Sequence, residues 1–223
     1  MQQRRYDAVL FDFDGTLVDT GEGILKSLQF AFEDHGRPVP DLQDLKKFIG
    51  PPIYYSFTTF YGVSEDEVGA YIKSYRKRYK EKGIYECRLY DGMLETLRAL
   101  KEGGVKLGIA SSKPQHLIYD VMDYIGITDL FDAVVGTMLD DSRHEGKADL
   151  VDESRRKLGV GDKMRVLMVG DRYFDIDGAA GAGVDSVGVL YGYGSCEEFE
   201  AHGATFVLSR PEELLPVVFP KNA

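Results

Sequence analysis

The sequence predicts an open, doubly wound α/β fold with a parallel sheet and a small all-helical insertion after its first strand. Three observations carry this reading. Short, unbroken apolar runs recur along the chain, amphipathic helical patterns stand between the later runs, and the stretch 20–86 holds helical patterns without a strand-like run. Strands covered on both faces lose the period-two alternation of half-exposed ones, and their alternation with helices marks a parallel sheet.

The first run is Ala8-Val9-Leu10-Phe11, broken at once by Asp12 and Asp14. Beyond it, Ile24, Leu25, Leu28, Ala31 and Phe32 fall on one helical face, and His35-Gly36-Arg37-Pro38 ends that helix. Ser64-Glu65-Asp66-Glu67 reads as a capping box opening a helix that carries Val68, Tyr71, Ile72 and Tyr75. Its basic run 73–82 reads as a solvated face. Leu94, Leu97 and Leu100 share a face before the second strand, 105–110. Leu117, Ile118, Val121, Met122 and Ile125 form the next helix, followed by a further strand over 131–135. Leu150, Val151 and Leu158 precede the strand 166–169, and 184–189 is the last apolar run. The expected division is a core of 1–19 and 87–223 with a helical cap of 20–86. The glycines of Thr20-Gly21-Glu22-Gly23 and the stretch before Asp91-Gly92 are expected to serve as its hinges.

Composition narrows the function. The chain has 223 residues, 43% of them hydrophobic, enough for a packed core, and a net charge of −10 spread along its length. That balance argues against a nucleic-acid partner, because phosphate backbones are held by clustered Lys and Arg. A small phosphorylated metabolite remains open, since one metal ion and one lysine reverse a local field. Cys87 and Cys196 lie far apart with no CxxC spacing, which suits reduced thiols in the cytoplasm. The basic start, Met1-Gln2-Gln3-Arg4-Arg5, leads into too short an apolar stretch for a secretory signal, and no run is long enough to span a membrane.

In open α/β sheets, ligands sit beyond the carboxyl ends of the strands. Four parts of the chain converge there on this reading. Asp12 and Asp14 follow the first strand, and Ser111, Ser112 and Lys113 follow the second. Lys147 opens a helix after Gly146, and Gly170-Asp171 with Asp175 follows the strand 166–169. Carboxylates suit a hard cation such as magnesium, hydroxyls and backbone N–H groups after a strand hold phosphate oxygens, and a lysine adds a point charge. Ser111 and Ser112 could equally cap a helix starting at Pro114, and Asp175 could cap the helix after it.

These residues resemble the haloacid dehalogenase-like superfamily. Asp12-Phe13-Asp14-Gly15-Thr16-Leu17-Val18-Asp19 is similar to its DxDGTLxD opening, and Ile109-Ala110-Ser111-Ser112-Lys113-Pro114 to its second motif. Lys147 corresponds to its third motif, and Gly170-Asp171-Arg172-Tyr173-Phe174-Asp175 to its GDxxxD fourth. The resemblance implies a phosphohydrolase in which Asp12 is the nucleophile and Asp14 the general acid and base. It further implies that Asp12, the main-chain carbonyl of Asp14, and Asp171 hold Mg2+, with Asp175 behind them. Ser111 and Ser112 would hold the phosphoryl group and Lys147 would restrain Asp12, with Lys113 as a rival for that place.

The helical insertion resembles the small cap of the phosphoglycolate phosphatase and 5′-nucleotidase branch. Its Phe48-Ile49-Gly50-Pro51-Pro52 would be the substrate loop, with Gly50 close to the ligand. The resemblance therefore implies hydrolysis of phosphoglycolate or a nucleoside monophosphate through an aspartyl-phosphate. Two alternatives stand beside it: a β-phosphoglucomutase-like phosphomutase and a silent phosphometabolite-binding protein. Such mutases have a cap histidine twelve positions after the nucleophile, where this chain has Ile24.

Overall fold

The computed structural model describes residues 4–51, 53–138 and 146–220. Residues 1–3 of the basic start and Pro52 of the expected substrate loop lie outside them. The chain begins with β1 (Ala8–Phe11) and the two-residue β2 (Val18–Asp19). It then enters a helical layer of α1 (Gly21–Asp34), α2 (Leu42–Leu45), α3 (Ile53–Tyr61) and α4 (Glu65–Glu81). It returns through β3 (Arg88–Leu89), which pairs antiparallel with β2 in the register Val18↔Leu89 and Asp19↔Arg88. This short ribbon therefore ties together the two chain crossings of the insertion.

The rest of the chain alternates: α5 (Met93–Glu102), β4 (Lys106–Pro114), α6 (Gln115–Ile125), β5 (Ala133–Thr137), α7 (Lys147–Lys157) and β6 (Val166–Gly170). It closes with α8 (Tyr173–Ala182), β7 (Asp185–Val189), α9 (Cys196–Ala201), β8 (Phe206–Leu208) and α10 (Leu214–Val218). Six strands form one parallel sheet in the order β5-β4-β1-β6-β7-β8. Because β1 lies between β4 and β6, the strand order progresses outward in opposite senses on its two sides, and the crevice beyond its carboxyl end is flanked by both neighbours.

Both faces of the sheet are covered, as the unbroken apolar runs predict. Val9, Phe11, Leu107, Ile109, Leu167 and Val169 pack into a core continuous with the helical layer. Ala8, Leu10, Ala110, Val166 and Met168 pack on the other face with Leu150 and Val151 of α7. In the helical layer, Phe32 meets Phe57 and Tyr71 with ring centroids 5.8 Å from each, so α1, α3 and α4 share an aromatic centre. In α4, Tyr71, Tyr75 and Tyr79 are buried while Lys73, Lys77 and Lys80 are exposed, a two-faced arrangement of the basic run.

Several expectations need correction. The second strand runs on to Pro114, so Ser111 and Ser112 are strand residues rather than helix caps, and α6 starts at Gln115. The pairing of β4 with β5 is irregular between Ala110 and Pro114, and such a shift re-aims side chains at a sheet rim. The strand expected at 131–135 lies at Ala133–Thr137. Ser64 precedes α4, but its hydroxyl donates to the Glu67 carboxylate at 2.8 Å and makes no cap bond to the backbone. Gly21 and Gly23 belong to the first turn of α1 and serve close packing: a Cβ on Gly23 would stand 2.2 Å from the Gly83 carbonyl oxygen. Strand β8 and the β2–β3 ribbon were not expected.

Candidate active site

Asp12 directly follows β1 and keeps the ladder with β6 through its N–H, which donates to the Val169 carbonyl at 2.9 Å. The strand thus fixes where its buried carboxylate stands. Asp171 and Asp175 come from the end of β6 and the first turn of α8, and one oxygen from each of the three carboxylates lies within 4.8 Å of the others. Lys147, the first residue of α7, reaches the same cluster, with its Nζ 2.7 Å from Asp12 Oδ1 and 2.6 Å from Asp175 Oδ1. Asp175 also caps α8, accepting the Arg172 N–H at 3.1 Å, so the capping role and the site role coexist.

Asp171 is enclosed on every side. Its Oδ1 accepts from the Thr16 hydroxyl and its Oδ2 from the Tyr193 N–H, each at 3.0 Å. Gly15 makes this closeness possible: its φ of +83° turns the chain back, and a Cβ there would stand 2.3 Å from Asp171 Oδ2. Burial, then the charges of Asp175 and Asp12, push the Asp171 carboxyl well above the ordinary carboxylate range. Burial also raises Asp175, with Lys147 pulling it back. For Lys147, burial works to lower the pKa, but Asp12 and Asp175 outweigh it and hold the ammonium above its ordinary value. Three carboxylates against one ammonium leave an excess of negative charge in a buried, oxygen-only donor set. That chemistry fits a hard divalent cation.

Asp14 faces the other way. Its carboxylate accepts from Lys113 Nζ at 2.9 and 3.1 Å and from the Thr20 hydroxyl at 2.7 Å. It is thus outside the three-carboxylate cluster, and only its main-chain carbonyl remains for a metal. Thr20 precedes α1 yet makes no cap bond to that helix; its hydroxyl serves Asp14 instead. Lys113 Nζ also meets the Tyr79 hydroxyl at 2.8 Å, so a lysine of the sheet joins Asp14 to a helix of the insertion. The two candidate lysines are therefore divided, Lys147 on Asp12 and Lys113 on Asp14.

A cavity of about 70 Å³ lies between the sheet rim and the insertion. Asp12, Asp14, Ser111, Ser112 and Lys113 line it from below, and Ile24, Phe48, Gly50, Tyr75 and Arg76 from above. Ser111 is buried, and its hydroxyl accepts the Lys113 N–H at 3.3 Å. The expected residues Asp12, Asp14, Ser111, Ser112 and Gly50 thus meet at one cavity, with Lys147, Asp171 and Asp175 beneath Asp12. Sequence reasoning missed Thr16, Thr20, Tyr79, Arg76 and Tyr193. The i, i+4 spacing of Tyr75 and Tyr79 was a usable signal for a second inward-facing tyrosine.

Residues 9–189 match the family described as Haloacid dehalogenase-like hydrolase. A Pseudomonas aeruginosa protein named 5′-nucleotidase is 39% identical over 201 residues, 90% of this chain and 90% of its own. A Mycobacterium tuberculosis protein named tyrosine-protein kinase PtkA is 34% identical over 199 residues, 89% of this chain and 67% of its own. Among solved structures, one described as a predicted phosphatase from Clostridium acetobutylicum has a TM-score of 0.88 at 37% identity, covering 94% of this chain and 96% of that one.

Proposed function

The chain belongs to the haloacid dehalogenase-like hydrolases, as a phosphatase, and from that premise we propose a magnesium-dependent phosphomonoesterase that works through an aspartyl-phosphate on Asp12. The observation that carries the proposal is the division of labour around two carboxylates two residues apart. Asp12 is held by Lys147 over the acidic cluster, while Asp14 is held by Lys113 and Thr20 toward the cavity. Bound among Asp12, Asp171 and Asp175, Mg2+ would offset negative charge and draw electrons from the phosphoryl oxygens.

The chain's own groups account for the rest. A carboxylate oxygen of Asp12 attacks phosphorus, and the bond from phosphorus to the substrate's ester oxygen breaks as Asp14 gives that oxygen a proton. A water then attacks the aspartyl-phosphate, Asp14 takes its proton, and the bond to Asp12 breaks to release phosphate. Ser111 and the N–H of Ser112 hold phosphoryl oxygens, and the Lys147 ammonium keeps Asp12 aimed. Residues 1–19 and 87–223 carry this chemistry, and 20–86 covers it.

The cavity is small, about 70 Å³. Its size supports a compact phosphorylated metabolite such as phosphoglycolate. A nucleoside monophosphate is the second reading, favoured by the relative's name and by the apolar wall of Ile24, Phe48, Ile53 and Leu117. That substrate would need the insertion to draw back. Ile24 in this wall provides no acid–base group, which speaks against a phosphomutase. The two thiols, Cys87 and Cys196, are both free, which supports a cytoplasmic setting. No helix among the described residues is long and apolar enough to cross a membrane.

The test is phosphate release from p-nitrophenyl phosphate with and without magnesium, then from a panel of small phosphorylated acids, sugar phosphates and nucleotides. Magnesium-dependent release is expected, highest for compact substrates. Binding without turnover, or isomerisation without release, would defeat the proposal.

A further inference from the structure

Arg172 is absorbed by none of the roles above, although it sits beside Asp171. Its side chain leaves the acidic cluster and crosses to the insertion. Nη1 donates to the Ile49 carbonyl at 3.1 Å, and Nε donates to Glu198 Oε1 at 3.1 Å. The Ile49 carbonyl lies just past a helical turn at Lys46–Phe48, where the backbone is already extended. Gly50 follows with a φ of +104°, and a Cβ there would stand 3.0 Å from Arg172 Cγ. The arginine stem therefore fills the side of Gly50 that a side chain would occupy, while its head holds the preceding carbonyl.

Glu198 is itself anchored. Its Oε1 also accepts the Tyr173 N–H at 2.7 Å, and its own N–H donates to the Ser195 hydroxyl at 3.2 Å at the start of α9. The arginine fork is thus fixed on its core side and free to present Nη1 outward. Both side chains of the pair are largely covered, at 17% and 22% exposure, so they are less screened than a surface pair. We infer that Arg172, oriented by Glu198, is a positioning residue that docks the Ile49–Gly50–Pro51 loop over the reaction cavity. The inference rests on the phosphatase reading for its effect on turnover, and on the contacts alone for the docking itself.

The test compares the wild-type chain with Arg172→Ala, Arg172→Lys and Glu198→Gln. Hydrogen exchange across 46–53 is read first, because it needs no substrate. Arg172→Ala should speed exchange there by about tenfold while leaving β1 and β6 unchanged. Arg172→Lys keeps the charge but loses the fork and should fall between, and Glu198→Gln should give a smaller effect of the same sign. With the best substrate of the panel, Arg172→Ala should raise KM about tenfold and change kcat by less than about twofold. Added guanidinium chloride should bring KM part of the way back where the same concentration of sodium chloride does not.

Unchanged exchange in 46–53 overturns the docking role. A wild-type KM, an equal fall in kcat, or loss of magnesium affinity in place of substrate affinity overturns the positioning role. Should Arg172→Ala fail to fold, the lysine and glutamine variants decide by the same readouts. A wild-type chain that releases no phosphate would defeat the phosphatase reading, and the exchange measurement would still decide whether Arg172 docks the loop.

Discussion

Asp12→Asn separates chemistry from stability more sharply than any other single change. Asparagine keeps the shape of the side chain and can still accept from Lys147, but its amide cannot form the acyl-phosphate. Activity should fall roughly 10⁴-fold or more, about 5 kcal/mol of barrier. The stability effect follows from the distances. At an effective dielectric near 20, the Lys147 pair at 2.7 Å is worth about 6 kcal/mol of attraction. Repulsion from Asp171 and Asp175, at separations within 4.8 Å, is worth about 3 kcal/mol each on the same scale. At a pH where both carboxyls are ionised, attraction and repulsion nearly cancel, so there and without metal the variant should unfold within about 1 kcal/mol of wild type. Phosphate release and thermal unfolding in chelator are the two assays. Activity within about tenfold of wild type would remove Asp12 as nucleophile. A loss of about 3 kcal/mol or more would show that the charge balance is misjudged and that Asp12 is a structural anchor.

Three further outcomes follow from the same contacts. Burial raises the carboxyls of Asp171 and Asp175, so their protonated forms favour the folded state at low pH. In chelator that contribution should be lost as pH rises from the ordinary carboxylate value, toward about 6 for Asp175 and in the same direction for Asp171. Unfolding scans should show the slope in wild type and a shallower one in Asp171→Asn, and added magnesium should raise the wild-type midpoint most above that window; a pH-independent response to magnesium would contradict it. Gly23→Ala should destabilise by about 3 kcal/mol, since its Cβ meets the Gly83 carbonyl, whereas Gly69→Ala in α4, with nothing within 4 Å, should stabilise by about 1 kcal/mol. Denaturant midpoints of the pair check this, and equal signs would refute it. Gly50→Val should raise KM or reorder the substrate panel, and the strain of a β-branched residue at its positive φ should also cost about 1–3 kcal/mol of stability; equal losses on every substrate would make Gly50 a structural turn.

The sheet was legible wherever strands are buried on both faces, because Ala8–Phe11 and Val166–Gly170 show nothing but apolar side chains and glycine. Strand β8 escaped notice because its three residues are only half-buried at the sheet edge. The ribbon of β2 and β3 escaped because two residues carry no period. The acidic cluster was legible since Asp12 and Asp171 directly follow strands and Asp175 opens the next helix, and strand ends share one rim. The Lys113–Tyr79 contact and the Arg172–Ile49 contact were not, since each joins the sheet to the helical insertion. Sequence patterns report which face of an element is apolar; they do not report the angle at which two packed bodies meet.

The paired residues Asp19 and Arg88 give the insertion a topological property of its own. Opposed residues of an antiparallel pair have Cα atoms about 5 Å apart, a gap that a two-residue hairpin turn closes. Everything between them hangs from a single doorway in the chain. A segment of any length or shape could be threaded there, or none, with no strand of the large sheet changing its register. On the proposed function, the selectivity carried by the insertion could be exchanged through that doorway while the sheet stays as it is, provided the contacts of Thr20 with Asp14 and of Tyr79 with Lys113 are kept.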